Sequence, residues 1–111
     1  MRTFVLGALL LFVTGGARAN FLDGYELRER CESRRVDYIN TCLGYLTGVI
    51  DSDDAAPSWR LAKSLFCVPR GVSASRLRST FLAYLRAHPE EEDLNAAILV
   101  GNAFISAFPC D

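Results

Sequence analysis

The chain has 111 residues, 50% of them hydrophobic and 23% charged, with a formal net charge of −1. That length supports one small domain, and the balance of apolar to charged residues excludes a disordered tail, a collagen repeat or a coiled-coil array. No basic block stands anywhere in it, so the electrostatic footprint of a nucleic-acid binder is missing and no nucleic-acid partner is expected.

The first segment reads as an export signal. Arg2 precedes an apolar run over residues 4–13, and a stretch of small residues closes on Ala17-Arg18-Ala19, the A-x-A pattern of a cleavage site. The run is far shorter than the roughly 20 residues a spanning helix needs. Residues 1–19 are therefore assigned as a signal peptide and residues 20–111 as the domain it delivers, with the periplasm as destination and no membrane attachment. Four cysteines remain after cleavage: Cys31, Cys42, Cys67 and Cys110. An even number in a short exported chain predicts two disulfides, each contributing about 2–4 kcal/mol. Three pairings are compatible with four cysteines, and the spacing does not choose among them. With no C-x-x-C pair and a single histidine, neither a metal site nor a cofactor is expected.

The apolar spacing beyond the signal is helical throughout. Asp23 with Glu26 three residues on forms a capping-box-like start, flanked by Leu22 and Leu27 as a hydrophobic staple, for a helix over residues 24–33. A second helix carries Val36, Ile39, Leu43, Leu46 and Ile50 at alternating steps of three and four and ends near Asp51. Within it Gly44 and Gly48 leave a shallow groove for close approach, either of another helix of the fold or of a second copy of the chain. An acidic, turn-rich loop follows, and Pro57 suits the first turn of a short helix over residues 57–66. Ser73 or Ser75 caps the next helix, whose Leu77, Phe81, Tyr84, Leu85 and His88 share one face before Pro89 ends it. Pro89 also opens the last predicted helix, where Glu90, Glu91, Glu92 and Asp93 meet the positive end of the dipole. Its predicted apolar face comprises Leu94, Ala97, Ile98, Gly101, Ile105 and Phe108. The fold class is all-α: a compact domain of four to five helices stapled by two disulfides.

Catalytic chemistry finds little support. The lone His88 has no free thiolate to activate if all four cysteines are oxidised, and no G-x-S-x-G elbow is present, so its expected role is to cap a helix end. Asp51, Asp53 and Asp54 fail as a calcium loop, because Ala56 and Ala62 stand where glycine and a bidentate glutamate are required. No catalytic residue is assigned. The segment that resists a purely structural reading holds Trp59 and Arg60, residue types that dominate interface energetics, although a core tryptophan is an equal alternative. Asp51, Asp53, Asp54, Trp59 and Arg60 are therefore the candidate partner-binding residues, the carboxylates steering and the tryptophan anchoring.

Five short motifs, in order, give the chain a family likeness. They are Phe21-Leu22-Asp23-Gly24 with Leu27 and Cys31; Cys42-Leu43-Gly44-Tyr45 with Gly48-Val49 and Asp51; Phe66-Cys67-Val68-Pro69 with Gly71-Val72; Tyr84-Leu85 with His88-Pro89-Glu90; and Ala103-Phe104 with Ala107-Phe108-Pro109-Cys110. Together they resemble the Rap/Tai family of type VI secretion immunity proteins, over nearly all of the exported chain. Arg76 and Asp93 depart from the family pattern, which commonly has glutamine and a second histidine at those places. The resemblance implies a periplasmic, helical, disulfide-bonded protein, often a homodimer, that covers the catalytic cleft of a peptidoglycan amidase effector and turns nothing over. The alternative from the sequence is a small periplasmic helical chaperone.

Overall fold

The computed structural model describes residues 21–111 and the isolated position Gly7. The predicted signal segment and its cleavage point thus lie outside the described residues, Gly7 apart. Helix α1 spans Gly24–Glu32. Its cap is the predicted one: Asp23 Oδ1 accepts the Glu26 N–H at 2.9 Å, satisfying one of the donors that a helix start leaves free. Two more of these donors are met across the molecule. Gly24 N–H donates to the Leu94 carbonyl at 3.0 Å and Tyr25 N–H to the Glu92 carbonyl at 3.1 Å, while Ala96 N–H returns to Leu22 at 3.0 Å. This crossing is why position 24 is glycine: a Cβ there would collide with the Glu92 carbonyl and the Leu99 side chain.

Helix α2 spans Val36–Ala55, one turn beyond the predicted end at Asp51. Pro57 marks the true stop, because it has no N–H with which to continue the ladder. The period of the predicted stripe holds but its phase is displaced: Cys42 and Leu46 are buried, Tyr45, Val49 and Ile50 pack beside them, and Val36 is 72% exposed. The bond from Cys42 to Cys31 of α1 decides which side of α2 turns inward. The short helix predicted over residues 57–66 does not form. A turn occupies residues 56–60 and residues 61–73 follow an irregular path, because the chain must return to seat Phe66 in the core, where it is only 2% exposed.

Helix α3 spans Ala74–Ala87, and of the two candidate caps it is Ser73 that serves, its Oγ accepting from the Arg76 N–H at 3.0 Å. Leu77, Phe81 and Leu85 are buried and Tyr84 packs beside them, as the spacing predicts. His88 is the C-terminal cap, its N–H donating to the Tyr84 and Leu85 carbonyls. Pro89 does not open the last helix. It begins a single 3-10 turn, Pro89–Glu91, and α4 spans Ala96–Ala107 with Asn95 Oδ1 accepting from the Ala97 N–H at 2.8 Å. The carboxylates of residues 90–93 therefore do not sit on the dipole of a long helix.

Helix α4 buries Ala96, Leu99, Val100, Ala103 and Phe104, whereas the predicted face leaves Ile98 55% and Ile105 41% exposed. A helix apolar almost all round offers two stripes of equal period, and only packing selects one. α1 lies on α2 and α3 on α4, and the two pairs meet chiefly through α2 and α1 against α3. Phe66 and Phe108 complete the core from outside the helices, Phe66 edge-on to Phe104 at 5.6 Å and Phe104 tilted on Phe108 at 5.8 Å. Among the described residues there is no strand, only an isolated bridge between Asp23 and Asn95, and no helix is long and apolar enough to cross a membrane.

The disulfides pair Cys31 with Cys42 and Cys67 with Cys110, closing sequence separations of 11 and 43. On the loop-closure model these contribute about 3 and about 4 kcal/mol. The fold is thus the expected small all-α domain with two staples.

Candidate functional site

The candidate site is built where α2 runs out. Asp51, Asp53 and Asp54 belong to the last turns of the helix, not to a loop, and no basic residue stands beside them at its C-terminal end. Carboxylates are disfavoured at that end of the dipole, so the helix carries them at a cost. Asp53 repays that cost in the fold. Its Oδ1 accepts the Leu65 N–H at 2.8 Å, its Oδ2 faces the Phe66 N–H at 3.4 Å, and its carbonyl accepts the Ser64 hydroxyl at 3.3 Å. That carbonyl is open to Ser64 because Pro57, four residues on, has no N–H to give it. Asp53 is consequently half-buried and tied to the returning chain, whereas Asp51 and Asp54 remain exposed.

Beyond Ala55 the chain makes one more turn. Arg60 N–H donates to the Pro57 carbonyl at 3.0 Å and Leu61 N–H to the Ala56 carbonyl at 3.1 Å, the paired bonds of a Schellman-type ending. That ending requires a left-handed residue, and Arg60, with φ of 57°, occupies the position that glycine usually takes. A side chain in this region costs of order 1 kcal/mol.

The result is a protruding loop. Residues 57–63 are all exposed, with Trp59 at 63%, Leu61 at 75% and, just beyond, Leu65 at 61%. Of the two readings of Trp59, the structure selects the exposed one. A shallow concavity lies along the loop between Pro57, Arg60, Leu61 and Lys63. The loop carries Trp59 and Arg60 and adds Leu61, Lys63 and Leu65, which the sequence reading assigned to a helix. Their signal was present in the composition: no Asp or Glu stands between Asp54 and Glu90, while Arg60, Lys63 and Arg70 do. The exposed surface is therefore bipolar, with Asp51 and Asp54 on the helix end and Arg60 and Lys63 on the loop.

The second acidic segment is a set of tethers. Glu92 is 7% exposed and pairs with the Arg28 guanidinium of α1. Glu91 accepts the Tyr84 hydroxyl at 2.7 Å and the Asn102 amide at 2.8 Å, joining α3 to α4. The Tyr84 hydroxyl, with help from Asn102 and against the cost of burial, holds the Glu91 carboxyl below its ordinary range. Burial first, then the bond and charge of Glu91, push the Tyr84 phenol up to about 12. The His88 ring stacks on Tyr84 at 3.9 Å, with Nδ1 at 3.0 Å from the Tyr84 carbonyl, so its N–H is the donor there. All four cysteines are in disulfides, so no thiolate stands beside this histidine. Among the described residues no group of three or more His, Cys, Asp or Glu is arranged to hold a metal ion.

A third surface involves Gly44 and Gly48. The groove they form receives no helix of this fold: nothing lies within 4 Å of a Cβ built at either position. Internal packing is thus not their role. They border an open apolar face with Tyr45, Val49 and Ala97, where α2 and α4 run side by side.

Comparison with known proteins finds no match among curated proteins or solved structures. The family comparison does find one. Residues 23–110, from the cap of α1 to the last disulfide cysteine, match the Rap1a immunity proteins, and the chain belongs to that family, whose members give immunity against a secreted effector protein.

Proposed function

We propose that the protein acts in the periplasm, after removal of residues 1–19, by binding a peptidoglycan amidase delivered by a type VI secretion system and covering its catalytic cleft. The observation that carries the reading is the loop over residues 57–65. It presents Trp59, Leu61 and Leu65 to solvent beside Arg60 and Lys63, and it is anchored at its base by Asp53. Exposed aromatic and aliphatic side chains flanked by a guanidinium are the composition of an interface anchor. Asp51 and Asp54 on one side and Arg60 and Lys63 on the other fix the orientation in which a partner docks. Inhibition of this kind needs no catalytic group, which suits a domain whose only histidine caps a helix.

The two disulfides fit delivery to an oxidising compartment. The homodimer that the family resemblance implies has a natural seam in the open α2–α4 face around Gly44 and Gly48. A concentration series by light scattering tests it, a constant monomer mass speaking against it. The family match lends no support to the chaperone alternative.

The test is calorimetric titration of the oxidised protein with the amidase encoded beside it, with residual peptidoglycan hydrolysis read in the same samples. The expected result is a Kd in the nanomolar range, about −12 kcal/mol, with hydrolysis lost. No heat and full hydrolysis, with protein shown to be folded, would overturn the reading. Trp59→Ala is expected to cost at least about 2 kcal/mol of binding, on the order of thirtyfold in Kd. Unchanged affinity would place the interface elsewhere.

A further inference from the structure

The turn that closes α2 departs twice from what its own geometry favours. In a Schellman-type ending the left-handed position is usually glycine, and the apolar residue after it usually packs back on the last helical turn. Here the left-handed residue is Arg60, with φ of 57°, and the residue after it, Leu61, is 75% exposed. Neither choice stabilises the turn. The strained residue persists because both sides of it are held. On the α2 side the Arg60 and Leu61 N–H groups bond back to Pro57 and Ala56, and the returning chain is held by Asp53 and by burial of Phe66.

The charge of the segment is equally one-sided. Residues 55–89 contain no Asp or Glu. Other guanidiniums serve the fold: Arg28 pairs with Glu92, Arg35 with Asp37, and Arg78 donates to the Cys31 carbonyl. Among the described residues the Arg60 side chain has neither an ion pair nor a hydrogen bond. Its backbone conformation suits glycine or asparagine better, so what arginine adds at this position is a guanidinium fork directed at solvent. That fork matches the two oxygens of a carboxylate. Trp59, 63% exposed, and Leu61 flank it, and once covered by a partner they exclude water from such a pair.

From these observations we propose that Arg60 is the specificity-determining residue of the loop, and that it takes the carboxylate of an Asp or Glu side chain at the rim of the effector's cleft. The proposal rests on the interface reading above and adds the chemistry of the partner group. The backbone that carries the fork is fixed before the partner arrives, so binding orders the side chain alone.

The experiment uses the full oxidised chain and the amidase encoded beside it, with Arg60→Gly, Arg60→Asn, Arg60→Lys and Trp59→Ala beside the parent. Arg60→Gly and Arg60→Asn suit the backbone and remove the fork, and each is expected to weaken Kd at least about thirtyfold, mainly through faster dissociation. Arg60→Lys keeps the charge without the fork and should lose about tenfold. Melting temperatures of the Gly and Asn variants should stand at or above the parent's, by up to about 5 °C. Trp59 is the only tryptophan, so its fluorescence anisotropy reports the loop, and it should be unchanged in Arg60→Asn. On the effector, rim carboxylates are changed to amides one at a time, and one of them should be non-additive with Arg60→Asn.

A lowered melting temperature, or lowered anisotropy in Arg60→Asn, would overturn the proposal by making Arg60 a residue that serves the turn. Lysine binding as tightly as the parent would overturn the two-oxygen contact, and additivity with every rim carboxylate would overturn the partner chemistry. Parent affinity in Arg60→Gly, with binding weakened in Trp59→Ala, overturns this inference and leaves the interface reading standing. A folded parent that does not bind overturns both.

Discussion

The two acidic segments of this protein, residues 51–54 and residues 90–93, look alike in sequence and are used differently. In the first, one carboxylate of three is tied into the fold: Asp53 accepts backbone N–H groups of Leu65 and, more weakly, Phe66, and so pins the base of the exposed loop. In the second, Glu91 and Glu92 are held by side chains of other helices, Tyr84, Asn102 and Arg28, while the Glu92 carbonyl also receives the Tyr25 N–H. The difference teaches where stability and function are separated. Segment 90–93 joins α1, α3 and α4, so damage there is felt by the whole fold. The tether in segment 51–54 holds one loop, so damage there is felt by that loop.

The sharpest test of this contrast is Gly24→Ala. The new Cβ collides with the Glu92 carbonyl and Leu99, so the crossing between α1 and segment 90–93 must open. A loss of about 3 kcal/mol in urea unfolding is expected, at the upper end for overpacking. A loss under about 1 kcal/mol, within the range of an ordinary surface change, would mean that the crossing yields cheaply.

Glu92→Gln comes next. It keeps the shape and removes the charge from a buried partner of Arg28, for an expected loss of about 1–2 kcal/mol. Trp59 anisotropy should not change, since this tether does not reach the loop. Asp53→Ala is expected to behave in the opposite way, costing about 1 kcal/mol of stability while mobilising Trp59. If both variants shift anisotropy alike, the division between the two segments fails.

The smallest effect is in the pH dependence. The Glu91 carboxyl titrates below its ordinary value in the folded state, so its contribution is present above the unfolded pKa, and it disappears as the pH falls through the folded one. The Tyr84 phenol is raised, so its contribution holds below its ordinary value of 10 and is lost between pH 10 and about 12. Tyr84→Phe should therefore flatten the melting temperature against pH at both ends. A profile that keeps the parent's slope on both sides would place the titrating groups elsewhere.

Much of the architecture is legible in the sequence because it depends on local chemistry. The caps of α1 and α3 need only an Asp or Ser at the right offset, and the face of α3 is unambiguous because its polar and apolar residues alternate at one period. α4 is different: Leu94, Ala97, Ile98 and Gly101 follow the same steps as the buried Ala96, Leu99, Val100 and Ala103, so spacing does not tell the two stripes apart. The exposed loop was legible in part. Trp59 and Arg60 stood out by type, but Leu61 and Leu65 looked like one side of a short helix, because nothing local reveals that Asp53 captures the amides of residues 65 and 66 from twelve or more positions away.

What the sequence determined by itself is the all-α class, the likeness to an immunity family and the presence of two disulfides, since periodicity, motif order and cysteine count need no third dimension. What only the tertiary structure decided is which cysteines pair, which side of α4 faces inward, and which carboxylates are tethers. Those outcomes depend on contacts between residues far apart in the chain, and many arrangements satisfy the same local pattern until the helices are packed together.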